Sequence, residues 1–364
     1  MKVLHVLNHA RNGNGNVEVV IDLACEQASQ GNEVILATTR CHFTDELDCV
    51  GVRLVRLGGA VSSVATLARA REISVLVRRL RPDVVHAHMV ASTLAARLAT
   101  VSPRTPLVAT VHNSFDRQAR LMGVADRVIA VSEAVGKQMR RRGIPSRKLR
   151  VVRNGAIGGG RRPVVPATQH DLPRPCLVGV AGLHARKGIS DLLDAFAILR
   201  LEHPEAHLVL IGDGPERARF EAQAHALRIA DRVHFLGYVR DPREYLGSAD
   251  VFVHAARAEP FGLALLEARQ MGCPVVAAAV GGVPEALDGG EAGLLVPPRN
   301  PAALADAVGY LLSGEANRST WRQRAQRGLD QHTVSRMADD TFEVYHEAIR
   351  SQERRGFRPV KVPA

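Results

Sequence analysis

Two glutamates eight positions apart are the residues whose types and spacing best suit ligand chemistry. Glu259 opens a tight turn that contains Gly262, and Glu267 lies about two helical turns further on. A helix that begins near Gly262 rises about 1.5 Å per residue, so Glu267 is one turn or more inside it. Its first backbone N–H groups, near Phe261–Ala264, favour an anion. This arrangement suits a diphosphate with hydroxyls at both ends, as in a nucleotide sugar; the simpler alternative is a loop–helix junction with a capping acid.

Three glycine-bearing loops are further candidates for phosphate contacts. Asn12–Asn16 lies between a predicted strand and a predicted helix, where glycines allow backbone to approach a phosphate; a plain polar loop is equally consistent. Arg186 and Lys187 are adjacent cations in a loop that follows another strand, although the order of a P-loop is missing. Gly212–Pro215 is a tight turn that could form the floor of a nucleotide pocket.

Histidines at the ends of strands are a second group of candidates. His112 could hydrogen-bond a sugar hydroxyl or a phosphate, or it could simply cap its strand. His86 and His88 share one face of a strand, as metal ligands would. Because no third ligand is evident, the sequence favours a structural or acceptor-site role for this pair and predicts no metal site.

The elements that must position these residues form two alternating series of short apolar runs and helical patterns. Such alternation predicts two α/β, doubly wound domains with parallel sheets and a cleft between them, with ligands outside the carboxyl ends of the strands. Glycines and four prolines in residues 154–175 predict the linker. Predicted helices include Val17–Gln30, Ser63–Arg81, Asn317–Leu329 and Val334–Arg350, and the tail from Arg354 to Ala364 is predicted to be loose.

Bulk composition excludes several classes of protein. The chain has 364 residues, of which 46% are hydrophobic and 23% charged, so it can form sizeable cores. No apolar run approaches the ~18 residues of a membrane span. The apolar run at the start of the chain is too short, and too soon interrupted by polar residues, to be a signal peptide. Five scattered cysteines without CxxC spacing indicate neither a disulfide framework nor a zinc site. The sequence therefore predicts a cytoplasmic protein.

The positive charge is concentrated in the first half of the chain. Residues 1–162 contain 25 Lys and Arg against 12 Asp and Glu, whereas residues 163–364 contain 23 against 25. An anionic membrane surface, an acidic acceptor or nucleic acid could use this excess, and a solvated Arg-rich surface is the alternative. Nucleic acid is disfavoured because only 4% of residues are aromatic and no binding motif appears.

Taken together, these motifs resemble those of retaining GT-B glycosyltransferases of family 4, over nearly the whole chain. Glu259–Glu267 matches the E-x7-E element of that family. Supporting matches are Val111-His112, Asn154-Gly155, Arg186-Lys187-Gly188, Gly212–Pro215, Phe235–Gly237, Gly281–Glu285 and Gly293–Val296. The chain departs from the family pattern at Gly182, where an arginine is usual, and at Asn16, where a second glycine is usual.

The resemblance implies a GT-B fold of two Rossmann-like domains facing across a cleft. Residues 1–160, with a returning helix at about 334–350, would bind the acceptor, and residues 161–333 would bind a UDP-, GDP- or ADP-sugar. The implied reaction moves a sugar to a hydroxyl of a glycan or lipid-linked acceptor in bacterial cell-surface glycoconjugate synthesis. Cationic side chains would replace a metal, so no cofactor is expected, and the enzyme would be cytoplasmic or peripheral on the inner membrane face.

Residue by residue, the resemblance implies roles on both sides of the donor. Lys187 and Arg186 would stabilise the leaving diphosphate, Glu259 would contact the sugar hydroxyls, and Glu267 would bind the ribose. His112 would face the donor sugar. The remaining implied donor contacts are Gly15, Asn16, Gly212, Tyr238 and the backbone N–H groups of Phe261, Gly262 and Leu263.

Two other functions remain compatible with the residues. A nucleotide-sugar epimerase or hydrolase on the same architecture would turn over the donor without an acceptor, so a donor-only assay separates it from a transferase. A basic polyanion-binding protein would tolerate Lys187→Ala and would bind polyanions in a strongly salt-dependent way.

Overall fold

Nearly continuous runs of aliphatic residues form the central strands of two parallel sheets, as expected where both faces of a sheet are covered. Val84–His88 and Leu107–Val111, for example, are buried along their whole length. The computed structural model describes residues 1–58, 63–101, 104–159 and 170–354. The chain divides into an N-terminal unit, Met1–Arg162 with Thr333–Ala364, and a C-terminal unit, Pro163–His332.

The N-terminal unit is built on a seven-stranded parallel sheet with the strand order β3-β2-β1-β4-β5-β6-β7. Its strands are β1 (Lys2–Val6), β2 (Glu33–Thr38), β3 (Arg53–Arg56), β4 (Val84–His88), β5 (Leu107–Val111), β6 (Arg127–Ala130) and β7 (Leu149–Val151). Its first helices are α1 (Gly15–Ser29), α2 (Thr44–Cys49), α3 (Ser63–Leu80), α4 (Val90–Ala99) and α5 (Glu133–Arg141), and a 3-10 helix covers Arg117–Val124. The order places β1 beside β4, which brings residues far apart in sequence to one sheet edge.

The C-terminal unit is built on a six-stranded parallel sheet with the order β10-β9-β8-β11-β12-β13. Its strands are β8 (Cys176–Val180), β9 (His207–Ile211), β10 (Val233–Gly237), β11 (Val251–His254), β12 (Val275–Ala278) and β13 (Leu294–Val296). Its helices are α6 (Ile189–Leu199), α7 (Arg217–Ala226), α8 (Arg243–Leu246), α9 (Leu263–Gln270), α10 (Val283–Ala286), α11 (Pro301–Leu312) and α12 (Glu315–Ala325).

A last helix, α13 (Val334–Glu353), returns to the N-terminal unit. Thr333 caps it, because the Thr333 hydroxyl accepts a hydrogen bond from the Arg336 backbone N–H at 3.2 Å. Glu347 accepts hydrogen bonds from the Nε atoms of Arg127 and Arg150, each at 3.0 Å. Its neighbour Tyr345 is completely buried, so α13 is part of the N-terminal core.

Several predicted elements differ from the structure. The helix predicted over Asn317–Leu329 ends at Ala325, and a 3-10 helix over Leu329–His332 follows Gly328, whose φ of +65° stops helical continuation. The short elements α2 and β7 were not predicted, because neither is long enough to show a clear period. Residues 160–169 of the predicted linker and residues 355–364 of the predicted tail lie outside the described residues. Within the described chain, no helix combines the length and apolarity that a membrane crossing requires.

Candidate active site

The first turn of α9 carries the predicted anion site. Gly262 is its N-terminal cap residue with φ of +104°, and no described side chain caps the first turn. Phe261 is buried just before the turn and fixes the entry of the chain into the helix. Because the first N–H groups of a helix have no partner inside it, the backbone at Leu263 and Ala264 presents donors suited to an anionic oxygen.

Beside this helix start, Lys187 and Glu259 form a buried ion pair. The Lys187 Nζ lies 2.5 Å from the Glu259 Oε2, and the side chains are 16% and 9% exposed. The His254 Nε2 lies 3.5 Å from the same oxygen. Burial by itself would raise the pKa of Glu259, but the Lys187 ammonium and His254 outweigh it and hold the pKa well below its ordinary value. Glu259 is therefore ionised throughout the physiological range.

A close approach of two loops brings Lys187 to this position. Gly188 has φ of +66°, and a Cβ added there would lie 1.8 Å from the Ala255 carbonyl oxygen, so only glycine fits. The Arg257 backbone N–H donates to the Arg186 carbonyl oxygen at 2.9 Å. The Arg257 guanidinium also pairs with both carboxylate oxygens of Asp191, at 2.6 and 2.8 Å. These contacts fix the exposed Arg186 and the half-buried Lys187 relative to the segment that carries Glu259.

A second close approach fixes Glu259 from the other side. Gly281 has φ of +53°, and a Cβ there would lie 1.9 Å from the Glu259 carbonyl oxygen. The Gly282 backbone N–H donates to that oxygen at 3.1 Å. The Gly281–Glu285 motif is thus a support for the Glu259 turn.

Glu267 lies in the middle of α9 and is half-buried. Two residues on, the guanidinium of Arg269 is completely buried and anchors the helix. It donates to the carbonyl oxygens of Ala325, Ala286 and Arg327 and to the Asp288 carboxylate, at 2.5–3.0 Å. This anchoring holds α9, and with it Glu267, in one position.

The Gly212–Pro215 turn, predicted to form the floor of a nucleotide pocket, follows β9 and adjoins the end of β10. The Gly212 backbone N–H donates to the Gly237 carbonyl oxygen at 2.7 Å, which places Gly212 beside the residue that precedes Tyr238. Tyr238 is 46% exposed. Leu183, next to Gly182, donates its backbone N–H to the Asp213 carbonyl oxygen at 3.0 Å. The loops after β8, β9 and β10 therefore adjoin at one edge of the sheet.

The remaining predicted residues belong to the N-terminal unit. Gly15 and Asn16 are the first residues of α1, and the side chain of the cap residue Asn14 accepts the Asn16 backbone N–H at 3.1 Å. That donor is thus already engaged by a side-chain cap, whereas the start of α9 has none.

His112 follows β5 and is 3% exposed. Its Nε2 lies 3.0 Å from the His88 Nδ1, and the His88 Nε2 lies 3.0 Å from the His5 Nδ1. No third ligand beside His86 and His88 was evident from the sequence, but the structure places His5 there. Because β1 pairs with β4, His5 faces His86 in register, and potential ligand atoms of His5, His86 and His88 all lie within 4.8 Å of one another.

Sequence reasoning missed three residues of the Lys187–Glu259 site. His254 ends β11, and its position at a strand end was the signal that could have found it. Arg257 and Asp191 are separated by 66 residues and act through an ion pair, so no local pattern indicates them.

Comparison with known proteins identifies the family. A model described as Glycosyl transferases group 1 matches residues 165–328, and one described as Glycosyltransferase Family 4 matches residues 13–156. A glycogen synthase of Mycobacterium tuberculosis is 31% identical over 303 residues, which cover 76% of this chain and 71% of the relative. The chain is a family 4 glycosyltransferase.

Other relatives agree with this assignment. The glycosyltransferase is 31% identical over 178 residues to N-acetyl-alpha-D-glucosaminyl L-malate synthase of Bacillus anthracis, covering 49% of this chain and 46% of the relative. Its fold matches the crystal structure of Anabaena HepE in complex with UDP-glucose, with a TM-score of 0.80 at 21% identity over 95% of this chain and 100% of that one. A Rickettsia africae glycosyltransferase matches with a TM-score of 0.79 at 20% identity, over 95% of this chain and 98% of that one. The fold is GT-B.

Proposed function

We propose that the enzyme transfers a sugar from a nucleotide-diphosphate sugar to a hydroxyl acceptor, with retention of the anomeric configuration. The observation that carries the proposal is the Lys187–Glu259 pair beside the start of α9, where a cation, an ionised carboxylate and backbone donors meet. The cation and the backbone donors suit a diphosphate, and the ionised carboxylate suits sugar hydroxyls. A nucleotide-sugar donor is also supported by a structural neighbour, Anabaena HepE, whose crystal structures are complexes with UDP and with UDP-glucose.

The chemistry follows from where charge develops. Breaking the anomeric C–O bond leaves negative charge on the nucleotide diphosphate. Lys187, with Arg186 and the first N–H groups of α9, would stabilise that charge as it forms. Glu259 would accept hydrogen bonds from sugar hydroxyls, and Glu267 would accept them from the ribose. A charge-assisted hydrogen bond contributes about 1.5–3 kcal/mol, so each carboxylate is expected to contribute about tenfold or more to donor binding or to catalysis.

Retention without a glycosidase-type carboxylate pair requires another base. We propose that the leaving phosphate oxygen accepts the proton of the acceptor hydroxyl on the same face of the sugar, and that the cationic side chains take the place of a metal. Activity is therefore expected to withstand EDTA. Product NMR is expected to show the anomeric configuration of the donor, and an inverted product would contradict this mechanism.

A thermal-shift screen of UDP-, GDP- and ADP-sugars tests the donor class, because a ligand that binds only the folded state raises Tm. The best donor is then incubated alone and with glycan or lipid-linked hydroxyl acceptors. Transfer that depends on the acceptor supports the proposal. Turnover of the donor alone to an epimer or to free sugar would instead support the epimerase or hydrolase.

We also propose that the enzyme works in the cytoplasm on an anionic membrane surface, through a basic surface of the N-terminal unit. This basic surface comprises the end of α5 and the adjoining 3-10 helix Arg117–Val124. The Arg142 Nη1 donates to the Asp116 carbonyl oxygen at 2.7 Å, which joins the two segments. Leu121 and Val124, both 39% exposed, lie on the same 3-10 helix as the exposed Arg117 and Arg120. Exposed aliphatic side chains among arginines suit the interface of an anionic bilayer.

Cosedimentation with phosphatidylglycerol vesicles at low salt tests the membrane proposal. Each arginine near such a surface contributes about 1 kcal/mol, so Arg120→Gln with Arg141→Gln is expected to weaken binding roughly 30-fold. Arg228→Gln with Arg299→Gln, exposed residues of the C-terminal unit, is the charge-matched control. Equal losses in both double variants would contradict a dedicated surface.

A further inference from the structure

His254, at the end of β11, has a buried ring nitrogen without a hydrogen-bond partner. The side chain is only 4% exposed. Its Nε2 makes no hydrogen bond to any residue that the structure describes, although it lies 3.5 Å from the Glu259 Oε2. A buried polar atom without a partner is uncommon and calls for an explanation, such as a role in catalysis.

The carboxylate that His254 faces is already paired with a lysine. The Lys187 Nζ lies 2.5 Å from the same Glu259 Oε2, so an ammonium and an imidazole nitrogen share one oxygen atom. An ionised carboxylate can only accept, so His254 can hydrogen-bond to it only through a protonated Nε2. At 3.5 Å the two atoms are beyond the usual range of roughly 2.7–3.2 Å, and the lysine is the closer partner.

The strands on either side of His254 contribute no charge. β8 (CLVGV) and β12 (VVAA) flank β11, and Ala277 of β12 lies opposite His254 in register. Phe252, two residues earlier on β11, has its ring centroid 6.3 Å from that of His254. The charged and titratable groups come instead from the loop after β8, from the turn before α9 and from α9 itself: His184, Arg186, Lys187, Arg257, Glu259, Glu267 and Arg269.

Two of the cations in that set have their own acidic partners. The Arg257 guanidinium is paired with Asp191, and Arg269 is paired with Asp288. Lys187 and His254 are the groups that hold the pKa of Glu259 low. The charge next to the Glu259 carboxylate is therefore determined mainly by Lys187 and by the protonation of His254.

Donor binding changes this balance. A nucleotide-sugar diphosphate is a diester with two negative charges at neutral pH, and in the proposed function it binds at Lys187, Arg186 and the start of α9. Two cations then face three negative charges, those of the diphosphate and of Glu259. The site lacks one positive charge, and a proton on His254 supplies it beside the carboxylate that has to share its lysine.

We propose that His254 is a positioning residue of the donor site, which takes up a proton from solvent when Lys187 binds the diphosphate and then becomes the charged partner of Glu259. This inference rests on the proposed function, in which Lys187 stabilises the diphosphate. The protonated ring donates from Nε2 to the carboxylate and keeps Glu259 ionised and fixed for the sugar hydroxyls. Histidine suits this exchange, because a nearby charge is enough to change its protonation near neutral pH.

Calorimetric titration of the full-length enzyme measures the proton uptake directly. The probe is UDP-glucose, or the GDP- or ADP-sugar that raises Tm in its place, and its diphosphate diester is already fully ionised at neutral pH. The slope of the binding enthalpy against the ionisation enthalpy of several buffers gives the number of protons taken up. At about pH 7, uptake on the order of half a proton or more per donor is expected for wild type, and none for His254→Gln.

His225→Gln is the matched control, because His225 is an exposed histidine on α7 of the same unit. It should keep the proton uptake and the donor affinity of wild type. Equal uptake in His254→Gln and wild type, or donor binding without uptake in wild type, would refute this inference and leave the proposed function standing. Failure of every nucleotide sugar to bind or react would refute the proposed function itself.

The pH dependence of donor affinity is a second readout, which a purely structural role of His254 would not change. Because binding takes up a proton, the affinity of wild type should fall as the pH rises above neutrality, by up to about tenfold per pH unit. His254→Gln should bind about tenfold more weakly than wild type at about pH 6 and should approach it at high pH. A constant ratio of the two affinities across this range would contradict the proposal.

Glu259→Gln tests whether the proton serves the carboxylate, because it removes that charge and keeps His254. A neutral amide needs no charged partner, so the uptake should be lost, with the donor titrated at higher concentration to offset weaker binding. Uptake that persists in Glu259→Gln but is absent in His254→Gln would assign His254 to the diphosphate itself and overturn the proposal. The comparison of wild type with Glu259→Gln also decides the question if His254→Gln fails to fold.

Discussion

Replacing Lys187 by methionine should destabilise the C-terminal unit as well as impair catalysis. The substitution keeps most of the side-chain volume but leaves the Glu259 carboxylate buried without its ammonium. Removing one partner of a buried pair costs about 3–5 kcal/mol. Since the two side chains are still 16% and 9% exposed, we take the lower end, about 3 kcal/mol. For a unit the size of Pro163–His332, each kcal/mol lowers Tm by about 2–4 °C, so a fall of about 6–12 °C is expected.

The pH dependence of this loss distinguishes electrostatics from packing. In the wild-type enzyme, the pKa of Glu259 is lower in the folded than in the unfolded state. Its ionisation therefore stabilises the fold above about pH 4.3, and this stabilisation is lost as the pH falls below that value. In Lys187→Met, burial becomes the dominant influence and raises the folded pKa of Glu259. The unfolded state then gives up the proton first, so stability is lost as the pH rises above about 4.3.

A double variant separates stability from activity. Glu259→Gln in the Lys187→Met background removes the unpaired charge, so it should restore most of the lost Tm without restoring transfer. Thermal unfolding by circular dichroism at pH 5 and pH 8, with donor kinetics, provides the measurements. Removal of one group that stabilises developing negative charge costs about 10²–10³ in rate, and that loss should persist in the double variant. A Tm that is unchanged in Lys187→Met, or that falls equally at both pH values, would refute the reasoning.

Three further outcomes are expected. Gly281→Ala should lower Tm and kcat/KM much more than Gly289→Ala. Both glycines have a positive φ, but only at Gly281 would the added Cβ lie against a carbonyl oxygen, at 1.9 Å. Thermal unfolding and donor kinetics of the two variants measure the difference. Glu267→Gln should raise the donor KM about tenfold or more by removing charge-assisted hydrogen bonds to the ribose, and calorimetry with the free nucleoside diphosphate should show the same loss. Urea unfolding should show that the N-terminal unit loses stability as the pH falls from about 6.5 to about 4. In this range the histidines of the unfolded chain take up protons, whereas in the folded chain His5 and His112, with pKa values of about 4, do not. His112→Gln should reduce the slope of the unfolding free energy against pH by up to about 1.4 kcal/mol per pH unit.

Local pattern was sufficient to predict the α/β architecture and the helix that carries Glu267. The runs around His207–Ile211 and Val251–His254 are short, apolar and bounded by turn residues, and both are strands with the predicted bounds. Pro301–Leu312 was equally clear, since Asn300 caps the helix and Pro301 occupies its first turn.

Contacts between distant segments could not be predicted in this way. Lys187 and Glu259 are 72 residues apart, and their contact depends on how closely Gly188 approaches Ala255. The position of His5 beside His86 depends on strand order, because β1 lies next to β4 although five elements of the chain separate them. Had the order of the strands been predicted first, His5 would have been recognised as the third histidine beside His86 and His88.

The return of α13 to the N-terminal unit has a consequence for the order of folding during synthesis. Tyr345 lies 318 residues after Gln27 along the chain, and Glu347 lies 220 residues after Arg127. A ribosome therefore completes the whole C-terminal unit before it makes the helix that closes the first core. Until then His86 lacks its hydrogen-bond partner Tyr345, and the sheet around β5 and β6 lacks the helix that packs on it. The N-terminal unit, although made first, is thus the last to be finished, and a nascent chain must protect its open apolar face for the time needed to add some 170 residues.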